Sequence, residues 1–155
     1  AISYKGAHGI ATTRKHFAPF RWTGVENAAG GIDTDAASVQ VSDEQLLEWN
    51  PETIFLSASN LGRAREDAAS SPEYDSIRAL ETGETYSILP HATYHHNYGS
   101  ILANAYFVGK TVYPDHFADV DVEATTNEIF ETMLGTGLYR ELLETYDAFQ
   151  GLEFR

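Results

Sequence analysis

The chain has 155 residues, 43% of them hydrophobic, with 23 acidic against 10 basic side chains and a formal charge of −13. That length and apolar content suffice for one domain with its own core, and the negative field disfavours nucleic acid and anionic membrane as partners. Cysteine is absent, which removes disulfides, thiolate nucleophiles and cysteine-held metals. The acids are scattered rather than blocked, and lysine occurs only at Lys5, Lys15 and Lys110, a bias that suits a salt-adapted organism.

The sequence contains no run of about 20 apolar residues and no basic segment followed by an apolar leader. It opens on the strand-like Ala1-Ile2-Ser3-Tyr4, as a piece cut from a longer protein would, and breaks at Lys5-Gly6-Ala7-His8-Gly9, where two glycines permit a tight loop. A loop or short helix follows over residues 12–16, stopped by Pro19. Val25 to Gly31 is a second, glycine-terminated piece. Ser42-Asp43-Glu44-Gln45 reads as a capping box, with the Ser42 hydroxyl free for an orphan amide and Gln45 reaching back. Leu46, Leu47 and Trp49 supply the apolar face of that helix, and Asn50-Pro51 ends it.

Thr53-Ile54-Phe55-Leu56-Ser57 has the unbroken apolar character of a buried parallel strand. Its carboxyl end opens onto Ser57-Ala58-Ser59-Asn60, a candidate wall of a site, because open α/β sheets bind ligands outside the carboxyl ends of their strands. Ser71-Pro72-Glu73 starts a helix with proline in its first turn, with Tyr74, Ile77 and Leu80 facing inward. Thr82-Gly83 turns the chain into a strand from Thr85 to Leu89, closed by Pro90. Beyond the polar aromatic loop from Tyr94 to Ser100, a helix runs from about Ser100 to Val112 with Ile101, Leu102, Ala105, Val108 and Val112 on one stripe. Asp121 caps a further helix to about Leu134, and Leu138, Leu142, Leu143, Tyr146 and Phe149 mark a last one. The alternation predicts an α/β fold, a three-layer lobe with a small, mostly parallel central sheet flanked by helices, and one domain over residues 1–155.

Three of the six histidines, His91, His95 and His96, fall within seven residues. Clustered imidazoles suit a divalent metal, but no HExxH pair sits on an expected helix and neighbouring histidines on a strand point opposite ways. These histidines therefore read as ligand-contacting or solvent-facing side chains, and no metal site is assigned. Tyr94 and Tyr98 offer apolar rings with polar tips, suited to a flat or chelated ligand. A GxSxG elbow, a Walker loop and a GxGxxG turn are all missing, so the sequence supports neither catalysis nor nucleotide binding and implies no cofactor.

Three segments carry a resemblance: Ile2 to Ile10 leading to Phe17-Ala18-Pro19-Phe20; Val41 to Leu47 with Asn50-Pro51-Glu52-Thr53-Ile54-Phe55; and Tyr94 to Pro114 with Phe117. In this order they resemble the C-terminal lobe of ABC-transporter substrate-binding proteins of the iron-chelate and cobalamin class. The resemblance implies a two-lobe protein whose N-terminal lobe is missing here, with ligand held in the cleft between lobes. It also implies a solute-binding component that delivers an iron complex or similar metal chelate to the ABC permease subunits, with an extracytoplasmic location. One wall of the cleft would comprise Tyr4, Lys5, His8, Ser59, Asn60, Tyr94, His95, His96 and Tyr98. Glu44 falls where members dock on permease arginines, and Ser38 falls where some cobalamin binders carry tryptophan, which speaks against a corrinoid. The rival reading is a stand-alone His-rich metal-binding domain.

Overall fold

The computed structural model describes residues 2–6, 9–92 and 95–154, with the backbone alone described for residues 3–6, 9 and 60. Strands β1 (Ile2–Gly6) and β2 (Gly9–Thr13) pair antiparallel, with an irregularity between Tyr4 and Gly6. The expected loop or helix over residues 12–16 is thus partly strand, and Pro19 begins a helix rather than stopping one. Helix α1 (Ala18–Thr23) has proline in its first turn, where the missing N–H is one the helix cannot use.

After a 3-10 turn at Ala28–Gly31 come the two-residue edge strand β3 (Val39–Gln40) and helix α2 (Asp43–Trp49). Ser42 caps α2 as expected, its Oγ accepting from the Gln45 N–H at 3.2 Å. The return half of the capping box is not made, and the Gln45 side-chain amide donates to Glu48. Strand β4 (Ile54–Ser57) leads through a 3-10 turn into α3 (Leu61–Ser70), a helix the sequence analysis does not anticipate. The helix expected at Ser71-Pro72 is a 3-10 turn (Pro72–Ser76) followed by the short α4 (Arg78–Thr82). The Tyr74 hydroxyl there donates to Asp43 and ties this region to α2. The chain continues through β5 (Thr85–Ile88), α5 (Tyr98–Val112), α6 (Val122–Leu134) and α7 (Tyr139–Tyr146).

The strands form one sheet in the order β3-β2-β1-β4-β5. Pairs β1–β4 and β4–β5 are parallel, whereas β1–β2 and β2–β3 are antiparallel. The α/β character is as the sequence predicts, and the antiparallel half comes from the hairpin after β1. Strand periodicity distributes the core: Ile54 and Leu56 join Ile2, Ile10, Leu46, Leu61 and Ala64 on one face, while Phe55 joins Phe17, Phe20, Ile88 and Val108 on the other. Helices therefore cover both faces of β4. Burying Phe55 alone stabilises the fold by about 2 to 3 kcal/mol.

The last described residues complete the sheet. The Ser87 N–H donates to the Gln150 carbonyl, the Leu152 N–H to the Thr85 carbonyl, and the Thr85 hydroxyl to the Leu152 carbonyl. This segment covers the free edge of β5, which would otherwise offer unpaired amides to another chain. Among the described residues no helix is long and apolar enough to cross a membrane.

Candidate functional site

Because β1, β4 and β5 run parallel, their carboxyl ends lie at one end of the sheet. Three connections emerge there: the hairpin after Gly6, the turn Ala58–Asn60, and the loop from Leu89 to Asn97 that feeds α5. Strand β3 runs antiparallel to β2 and hence in the direction of β1, so the start of α2, carrying Glu44, belongs to the same end. Glu44 is fully exposed, and hydrogen bonds from its own backbone N–H and from Ser42 hold its carboxyl below the usual range.

The Leu89–Asn97 loop is built from inside the core outward. Asn104 on α5, fully buried, accepts from the Leu89 N–H and donates to the Leu89 carbonyl, both at 2.9 Å. One side chain thereby satisfies both backbone groups of Leu89, as a neighbouring strand would. Further along, the Asn97 N–H donates to the His91 carbonyl at 2.8 Å, and Ala92 and His96 form an isolated antiparallel bridge. Asn97 then caps α5, its Oδ1 accepting from the Ser100 N–H. The helix consequently begins at Tyr98, two residues ahead of the expected start, and Tyr98 occupies its first turn rather than the loop.

This frame brings three of the expected contact residues together. His95, His96 and Tyr98 are exposed, with the His96 and Tyr98 rings 6.2 Å apart. They line a cavity of about 450 Å³ whose other wall is Phe130, Met133 and Leu134 of α6. The approach of α6 requires Gly99, since a Cβ there would sit 2.8 Å from the Phe130 ring. Ser59 lies in the turn after β4, with its Oγ 3.2 Å from that of Ser57. Tyr4 and Lys5 lie on β1 and Asn60 ends the turn, but their side chains fall outside what is described, as do His8 and Tyr94 altogether.

Two features differ from what the sequence suggests, the first being that His91, expected with His95 and His96 to contact ligand or face solvent, is buried. His91 is 8% exposed and its Nδ1 has no hydrogen-bond partner. Desolvation, reinforced by the Arg14 guanidinium, lowers its pKa to about 4, the Leu89 backbone partly opposing and His96 lowering it further. The α6 shelf is the second; its signal was the exposed apolar pair Met133-Leu134 at a helix end. Another motif proves architectural. In Gly109-Lys110 and Tyr113-Pro114, a Cβ on Gly109 would lie 2.4 Å from the Phe117 ring, and Lys110 Nζ donates to the Phe117 carbonyl at 2.7 Å. That motif fixes the turn after α5, away from the sheet's carboxyl end.

Neither a protein-family model nor a curated protein sequence matches the chain. Solved structures do. An ABC transporter solute binding protein from Sulfurospirillum deleyianum aligns with a TM-score of 0.70 at 17% identity, covering 93% of this chain and 46% of its own. A periplasmic solute binding protein from Veillonella parvula gives 0.69 at 20% identity, covering 94% and 45%. The chain has the fold of one lobe of a periplasmic solute-binding protein. The molybdate periplasmic binding protein of Haemophilus influenzae gives 0.67 at 20% identity, with 88% of the lobe matched to 42% of that chain. The lobe thus spans less than half the length of each of these three proteins.

Proposed function

We propose that the chain is the C-terminal lobe of an extracytoplasmic solute-binding component of an ABC importer. It captures a metal chelate against the loops at the carboxyl ends of β1, β4 and β5 and presents it to the membrane permease. The observation that carries this reading is the convergence of exposed His95, His96 and Tyr98 on one cavity at that end of a binding-protein lobe. The carboxyl end is where an open α/β sheet receives its ligand. We read this as recognition without bond breaking, supported by loops whose described side chains offer imidazole, phenol and hydroxyl groups for contact. Glu44, exposed and kept ionised at the same end of the sheet, is the proposed docking residue for permease arginines.

Iron is the metal we favour, on the sequence resemblance; the Haemophilus relative is a molybdate protein, and a Helicobacter pylori relative carries Ni(II). A stand-alone metal-binding domain is the less favoured reading, since among the described residues no group of three or more His, Asp or Glu side chains converges to hold an ion. Calorimetric titration with ferric chelates, haem, cobalamin and free divalent metals decides between the two. Micromolar binding of one chelate, weakened in His95→Ala or Tyr98→Phe, supports the transport lobe; tight binding of a bare metal alone overturns it.

A further inference from the structure

The charge of the chain is unevenly distributed. Its first acidic residue is Glu26, so residues 1–25 hold Lys5, Arg14, Lys15 and Arg21 with no carboxylate among them. Elsewhere most of the described cations are engaged within the fold. Arg63 pairs with Asp67, Arg78 with Glu52 and Arg140 with Glu123, while Lys110 holds backbone carbonyls. Among the described residues, the cations left without such a partner are Arg14, Lys15, Arg21 and Arg65, and three of these four flank the single loop and helix that follow β2. In a protein with 23 acids, unpaired cations gathered in one place call for an explanation.

Arg14 is half-buried, and burial depresses its pKa. A guanidinium withdrawn from water without a carboxylate carries an uncompensated desolvation cost. Asn27 fixes the backbone beneath it, its Nδ2 donating to the carbonyls of Arg14 and Lys15 at 2.9 Å. Beside it stands His91, buried, with Nδ1 unpartnered and with its ring 5.5 Å from that of Phe17. Phe17 also lines a cavity of about 390 Å³ whose other lining residues include Lys15, His16, Arg21 and Trp22. Trp22, 50% exposed, gives this basic surface an aromatic face.

We infer that Arg14, Lys15, Arg21 and His91 form an anion-recognition site beside the Leu89–Asn97 loop, and that the ligand taken by this lobe is a polyanionic, oxygen-rich chelate. Such an anion supplies what each group lacks. The guanidinium gains charge-assisted hydrogen bonds, and a proton drawn onto the imidazole turns an orphaned acceptor into a donor. A neutral or cationic chelate leaves both unsatisfied. The inference rests on the chelate-binding reading above and narrows it to one charge class.

The test uses the 155-residue chain and two diamagnetic probes, gallium(III) citrate as the polyanion and a neutral gallium(III) trihydroxamate. Nitrogen-15 NMR reads the Arg14 Nε–Hε and His91 ring signals. The citrate complex is expected to shift both signals and to bind at least about tenfold more tightly than the neutral complex. Arg14→Gln and the more peripheral Arg21→Gln each weaken it by about tenfold, whereas Arg65→Gln, on α3, leaves it unchanged. Gallium-free citrate binding as tightly as the complex would show an anion site that does not read a chelate, and would overturn the assignment of ligand class. The neutral complex binding as well as the anionic one, with shifts confined to His95, His96 and Tyr98, overturns the anion site and leaves chelate binding standing. Failure of both complexes to bind overturns both.

Discussion

Acidification provides a direct test of the environment assigned to His91. The unfolded chain takes up a proton on this residue near the ordinary value of 6.5, whereas the folded protein does so only near 4. Between those values the unfolded state binds more protons, so stability falls as pH drops through that window. Above about pH 7 the residue contributes nothing, and below about pH 4 the loss is complete. At about 1.4 kcal/mol for each tenfold change in proton affinity, the full loss is about 3 to 4 kcal/mol, of which about 3 kcal/mol is reached by pH 4. Burial sets this value first, the Arg14 guanidinium and then His96 add to it, and the Leu89 backbone opposes them. Urea unfolding of the natural chain and of His91→Leu at matched pH isolates the effect from the many carboxylates, which are common to both. The variant should gain about 3 kcal/mol on the natural protein between pH 7 and pH 4. A difference that stays constant over that range, or an NMR titration of His91 near 6.5, would refute the reasoning.

Other consequences follow from the same architecture. Asn104→Ala orphans the N–H and carbonyl of Leu89 in the core and should cost about 3 kcal/mol, measured by chemical denaturation; a cost under about 1 kcal/mol would mean that water replaces the side chain. Gly99→Ala drives a methyl group against Phe130, which is 2% exposed and has no room to swing away. It should destabilise by roughly 1 to 3 kcal/mol despite about 1 kcal/mol of better helix propensity, and Phe130→Leu should restore most of the loss. With a charge of −13, the melting temperature should rise with added potassium chloride as the Debye length shrinks to about 3 Å at 1 M. A melting temperature that peaks without salt would contradict the salt-adapted reading.

Elements with a strong local signal were legible in the sequence. The apolar run at β4, the stripe on α5 and the Asp121 cap of α6 all stand where periodicity and capping chemistry put them. Helix α3 was not, because its buried face consists of Leu61, Ala64 and Ala68, and alanine marks an inward stripe only weakly. Strand β2 was hidden for another reason: its character comes from pairing with β1 and β3, a tertiary fact, while the nearby Pro19 suggested an interruption. Within the site, exposed His95, His96 and Tyr98 were readable as polar side chains on a loop. His91 was not distinguishable from its neighbours, because its burial depends on Phe17 and on a loop anchored by Asn104, both far away in sequence.

Strand β4 has a thermodynamic consequence. Its four residues are buried throughout, with Ile54 and Leu56 in one core and Phe55 in the other. Two hydrophobic clusters held by separate elements could melt in sequence, but these are the two sides of one short ribbon. Withdrawing that ribbon from either side opens the other, so loss of the α1 and α5 face exposes the α2 and α3 face in the same event. Heat and denaturant should therefore meet a single cooperative unit, and a loop that grips a ligand at the end of β4 tightens both halves of the lobe at once.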